Sequence, residues 1–146
     1  MRKLLLPLFI GCSLSASIVK ADTFSDNIKV AMKAELRSDK DKERDRNRRP
    51  VETLKFLGIQ EDMKVLELIP GGGWYTALLA PALKDKGKLY LGMANDRIKK
   101  GLLKKKGFNK VETVSNDSKW ERNKEEKRYD LLNIEFGVKD IDAVLT

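Results

Sequence analysis

The chain has 146 residues, 41% hydrophobic and 36% charged, enough for about one domain with a buried core, which excludes two full domains and wholesale disorder. It carries no histidine and a single cysteine, which excludes a Ser-His-Asp triad, a Cys-His dyad, His-ligated zinc, an imidazole base and an internal disulfide. The formal charge of +8 falls to +5 without the leader described below, and the excess is spread over mixed-sign runs, so no nucleic-acid partner is required.

Arg2 and Lys3 precede an apolar stretch from Leu4 to Val19, and Val19-Lys20-Ala21 follows. This order predicts a secretory signal peptide over residues 1–21, cleaved after Ala21, and an exported, periplasmic product. The stretch includes Pro7 and four Ser or Cys residues, too short and polar for a stable bilayer span of about 20 apolar residues. The alternatives are an uncleaved anchor or a lipoprotein anchored through Cys12. Phe9-Ile10-Gly11-Cys12 loosely resembles a lipoprotein box, but Phe stands where Leu is usual and apolar sequence continues past Cys12.

The mature chain divides into an N-terminal helical extension, 22–58, and an α/β unit, 59–146. Apolar residues at Phe24, Ile28, Val30, Ala31, Ala34 and Leu36 predict an amphipathic helix from Phe24 to Arg37. The helix is expected to continue through the following charged run, in which 13 of the 17 residues from Lys33 to Arg49 are charged, as a solvated face with i,i+4 pairs. Arg49-Pro50 stops that helix or starts another, in which Val51, Leu54 and Leu57 form a stripe and Gly58 is the C-cap. Met63 to Ile69 reads as a buried parallel strand entering the turn Pro70-Gly71-Gly72-Gly73. A helix from Trp74 to Leu83, a strand from Lys88 to Met93, a basic helix from Asp96 to Lys106 and a weaker strand from Lys110 to Ser115 follow. Asp117 to Arg128 reads as an exposed insertion, Tyr129 to Phe136 as a candidate strand, and Ile141 to Leu145 as a further strand. Strand and helix alternate, which predicts a parallel sheet covered by helices.

In such sheets ligands bind outside the carboxyl ends of the strands, and the first strand-to-helix turn is a favoured place. Here Gly71 and Gly73 permit positive backbone angles and close approach of a ligand, and the helix from Trp74 offers N–H groups to an anionic moiety such as a carboxylate. Trp74 and Tyr75 suit either burial at the helix start or stacking on a ring. Arg97, Lys99, Lys100, Lys104, Lys105 and Lys106 read as a solvated basic face.

Val65-Leu66-Glu67-Leu68-Ile69-Pro70-Gly71-Gly72-Gly73 resembles motif I of class I S-adenosylmethionine-dependent methyltransferases. Arg44-Asp45, Arg49-Pro50, Glu52, Leu54, Phe56, Gly58-Ile59, Met63 and Pro70 to Thr76 extend the resemblance to a family of predicted, often secreted, bacterial methyltransferases over about residues 37 to 146. The resemblance implies a Rossmann-like class I methyltransferase sheet, here partial with about four strands, S-adenosylmethionine as cofactor and a separate methyl acceptor. It places Glu67, Gly71, Gly72 and Gly73 around the methionine and ribose parts of the cofactor. It makes Asp96 the candidate grip on the ribose hydroxyls, although displaced beyond the end of the second strand, and Asn116 or Asp117 the adenine contact. Ile69 departs from the pattern by standing at its first Gly.

Two other readings belong to different classes. A nicotinamide-dependent oxidoreductase also uses a Gly-rich turn, but its fingerprint needs Gly or Ala where Thr76 stands, and it has no role for Glu67. A non-catalytic binding protein of the same fold suits an exported chain, since export separates it from the compartment that makes the cofactor. Asp140 to Thr146 resembles the family's fourth strand, after which such enzymes continue through three more strands, so the expectation is a fragment of a longer protein.

Overall fold

The structure, a computed structural model, describes residues 22–114 and 136–146. The predicted leader with Cys12, the insertion and the adenine candidates Asn116 and Asp117 lie outside the described residues, as does nearly all of the candidate strand ending at Phe136.

The elements in chain order are α1 (Thr23–Met32), α2 (Asp39–Arg48), α3 (Pro50–Phe56), β1 (Lys64–Leu68), α4 (Thr76–Leu83), β2 (Lys88–Gly92), α5 (Asp96–Lys100), a 3₁₀ turn (Leu102–Lys104), β3 (Glu112–Val114) and β4 (Ala143–Leu145). The strands form one sheet in the order β3-β2-β1-β4, and every pairing is parallel. This is the expected α/β Rossmann-like arrangement. β1 pairs on both edges, so Val65, Leu66 and Glu67 are all buried, as a central parallel strand requires. Asp142 fixes the register of β4: its Oδ2 accepts from Lys64 N at 2.7 Å, while its own N–H donates to the Lys64 carbonyl at 2.9 Å.

Ile28, Leu54, Val65, Leu78, Leu79, Leu83 and Leu91 are almost completely buried in one continuous cluster. α1 packs on α4 and α3, so its apolar stripe shares the core of the sheet. In α3, Leu54 is fully buried and Val51 partly so, whereas Leu57 is half exposed, which shortens the expected stripe.

Two expected helices are shorter than their periodicity suggests. The first ends at Met32, and a new helix starts after Ser38, whose hydroxyl caps it by accepting from Asp41 N at 3.2 Å. Between them Arg37 turns inward with a side chain only 1% exposed. Its guanidinium donates to the Met32 carbonyl at 2.9 Å and makes a fork with Asp45 at 2.6 and 2.7 Å. One side chain thus caps α1 and clamps α2, which a continuous solvated helix would not permit. The basic helix from Asp96 likewise ends at Lys100. Gly101 takes a non-helical conformation (φ −100°, ψ −92°), and the chain goes on as the 3₁₀ turn. Arg49 adopts a left-handed conformation (φ 43°), which ends α2 and lets Pro50 begin α3.

Candidate functional site

Strands β1, β2 and β3 run outward on one side of the sheet, and β4 lies on the other side of β1. The order therefore reverses between β1 and β4, where ligands collect in open α/β sheets. A cleft of about 310 Å³ opens there, and its lining includes Glu67, Ile69, Gly71, Gly72 and Thr146.

Glu67 lies between Leu91 and Leu145 in the register of the sheet and is 4% exposed. The Thr76 hydroxyl donates to its Oε2 at 2.6 Å, and the Thr76 backbone N–H adds a second hydrogen bond. Burial pushes the Glu67 carboxyl up to about 7, and the two Thr76 donors oppose that shift. Thr76 is the first residue of α4, so Glu67 caps the helix from the neighbouring strand. Ala77 N–H donates to the Gly73 carbonyl at 2.9 Å and Leu78 N–H to the Tyr75 carbonyl at 2.9 Å. The Thr76, Ala77 and Leu78 donors are thus engaged internally and are not among the N–H groups that this helix start could offer to an anionic ligand.

The turn leaves β1 through Ile69, which adopts φ 50°. This left-handed conformation is one that glycine adopts far more readily than a β-branched residue. Ile69 N–H donates to the Gly92 carbonyl at 3.1 Å, and Met93, following the paired strand end, is also left-handed (φ 58°).

The three glycines do different work. A Cβ on Gly72 would meet nothing within 4 Å, and one on Gly71 would meet only the Ile69 carbonyl at 3.9 Å, so both leave the cleft wall open. A Cβ on Gly73, at φ 84°, would lie 2.7 Å from Leu102 Cδ2 and 3.0 Å from Ile98 Cδ1. The space spared at Gly73 is filled by the α5 region, not offered to a ligand.

Asn95 links the turn to β2: its side-chain N–H₂ donates to the Gly71 carbonyl at 2.9 Å, and its Oδ1 caps α5 by accepting from Ile98 N at 3.0 Å. Asp96, next to it, is exposed, does not line this cleft and pairs with Lys100 at 2.9 Å, a bond that holds its carboxyl below the ordinary value. The structure thus brings Glu67, Gly71 and Gly72 to one cleft and leaves Asp96 on the β2 side.

The opposite wall comes from α2, none of whose side chains is buried. Trp74, 6% exposed, donates from Nε1 to the Asp41 carbonyl at 3.0 Å. The Arg37, Arg44 and Arg48 guanidinium groups stand 5.7, 6.0 and 4.8 Å from its ring centroid. Tyr75 meets Trp74 edge-on at 4.6 Å. Asp41, Arg44 and Arg48 share one face of α2 at i, i+3 and i+7, and all three line the cleft. That spacing is visible in the sequence, but the density of charge around it makes the face look merely solvated. Thr76 was also visible, two residues after Trp74, but its bond to Glu67 depends on the fold.

The chain matches no family model, and no solved structure matches it. It is similar to the demethylmenaquinone methyltransferase of Bacillus pumilus (strain SAFR-032), 29% identical over 102 residues, an alignment covering 64% of this chain and 41% of that protein. The chain therefore spans less than half the length of this relative. The chain is thus distantly similar to a methyltransferase and itself carries a Rossmann-like parallel sheet.

Proposed function

We propose that the chain is an exported S-adenosylmethionine-dependent methyltransferase, or the cofactor-binding part of one. The observation that carries this reading is Glu67, buried at the carboxyl end of the central strand beside a left-handed turn and open glycines at the sheet's switch point. The similarity to a methyltransferase supports it.

The residues present fit the cofactor's chemistry. Gly71 and Gly72 let a ligand lie against the main chain, and Glu67 offers hydrogen-bond capacity to hydroxyl or ammonium groups. When bound, the cofactor supplies a methyl group already activated on a sulfonium, so the protein's task is to position the acceptor in line with it. Glu67 and Asn95 hold the turn in place from below and from the β2 side. Trp74 and Tyr75 with α2 form the opposite wall of the cleft. Thr76, which stands where the nicotinamide fingerprint needs Gly or Ala, has its hydroxyl committed to Glu67, which weighs against the oxidoreductase reading. Export rests on the charged, apolar and small-residue order of residues 1–21.

Thermal-shift titration with S-adenosylmethionine, S-adenosylhomocysteine and NAD tests the reading. Stabilisation by the first two is expected, and a response to NAD alone would overturn it.

A further inference from the structure

The cleft wall opposite the Gly turn carries more positive charge than its neighbours balance. Arg44 has a carboxylate partner at the limit of an ion pair, Asp41 at 4.0 Å, and is 45% exposed. Arg48 lies over Trp74 at 4.8 Å and Tyr75 at 6.0 Å, and among the described residues its guanidinium has no carboxylate partner. Cation–π contact fixes where these heads lie without neutralising them. At the neighbouring helix start Thr76 is bonded to Glu67, and the Ala77 and Leu78 N–H groups to the Gly73 and Tyr75 carbonyls, so these three add no free donors. Glu67, the other acid in the lining, is hydrogen-bonded to Thr76, and its burial favours the neutral acid. Arg44 and Arg48 share the cleft lining with Thr146, which follows β4, whereas Asp96 does not line it.

We propose that Arg44 and Arg48 form an anion subsite that selects a methyl acceptor bearing a carboxylate or phosphate group next to a flat apolar body. This deepens the methyltransferase reading and rests on it only for the identity of the cleft's other occupant. A sulfonium cofactor would bring a further positive charge to the cleft, and an anionic acceptor would offset part of that excess. Arginine suits this task because its planar fork binds carboxylate or phosphate through two parallel hydrogen bonds. The half-buried Tyr75 ring, which lines the cleft, supplies the flat surface beside it, while Trp74 beneath the guanidinium groups is itself buried.

The test uses the full chain with benzoate, phenyl phosphate and neutral benzamide as probes, followed through the Trp74 indole N–H in NMR, with and without saturating S-adenosylhomocysteine. The wild type is expected to bind benzoate or phenyl phosphate at least about fivefold more tightly than benzamide, with Arg48→Gln abolishing the preference and Arg48→Lys keeping part of it. Both positions are exposed on a solvated helix, and an unchanged melting temperature confirms that each variant is folded. A preference that is absent, or that persists in the Arg44→Gln/Arg48→Gln double variant, overturns the subsite. So does a double variant that loses the wild type's discrimination between S-adenosylmethionine and its decarboxylated form, since the arginines would then hold the cofactor's own carboxylate. Preference for the anions with no affinity for S-adenosylhomocysteine would uphold the subsite while removing the cofactor reading.

Discussion

Replacing Glu67 with Gln probes the buried acid at the centre of the sheet. The side chain keeps its size, its acceptor for the Thr76 hydroxyl survives, and the titrating proton is removed. The folded-state value of about 7 lies above the ordinary value of 4.5, so the native state binds the proton more tightly than the unfolded chain. That contribution to stability is therefore fully present below about pH 4.5 and is lost as pH rises through about 7. At 1.36 kcal/mol per pKa unit, the wild type is expected to lose about 2 to 3 kcal/mol from this one residue between pH 5 and pH 8. The Glu67→Gln variant has no such dependence. Urea unfolding followed by far-ultraviolet circular dichroism at both pH values measures the difference. The variant should be close to wild type at pH 5 and more stable than it at pH 8. Parallel pH profiles for the two proteins would refute the argument, because a carboxyl that titrates normally cannot be desolvated between Leu91 and Leu145.

Asp45→Ala leaves the Arg37 guanidinium buried without its carboxylate and should cost about 3 to 5 kcal/mol, read as a lower urea midpoint; a loss below about 1 kcal/mol would mean that the fork does not hold α2. Ile69→Gly removes a left-handed β-branched residue at a cost in unfolded-chain entropy, and should raise stability by about 0.5 to 1 kcal/mol; destabilisation would show that Ile69 is not strained. Gly73→Val drives a side chain into Leu102 and Ile98 and should lower the melting temperature by several degrees before any ligand is added, whereas a native melting temperature would free that space for a ligand. Intact-mass analysis of the exported protein should show Asp22 at the N-terminus; a lipidated Cys12 there would establish the lipoprotein alternative.

The sheet was legible because its strands are short apolar runs between turn residues, and the periodicity changes at Gly71 to Gly73 marked the turn beside which the cleft opens. The boundaries of the helices were not. Nothing local tells that Arg37 turns inward: its neighbours are charged on both sides, and only Asp45, eight residues away, makes burial favourable. Gly73 shows a related difficulty. A glycine at a ligand turn and a glycine under a packed helix have the same local signature, and the Leu102 and Ile98 side chains decide between them. Ile69 departs from the motif in sequence, and nothing local tells that this β-branched residue takes a left-handed conformation. The α2 wall of the cleft was the least legible part, because Arg44 and Arg48 acquire meaning only once Trp74, which follows much later in the chain, lies under them.

The central claim is that the turn after β1 holds S-adenosylmethionine against its main chain, and Gly72→Val tests it most directly. Gly72 lies outside the left-handed region and has open space where a Cβ would go, so the fold should tolerate the change while the added methyls occupy the cleft. Calorimetric titration with S-adenosylhomocysteine should show binding to the wild type and a loss of roughly tenfold or more, about 1.4 kcal/mol, in the variant, with both proteins melting at the same temperature. Equal affinity in the two would contradict the claim, as would a wild-type protein that does not bind S-adenosylhomocysteine at all.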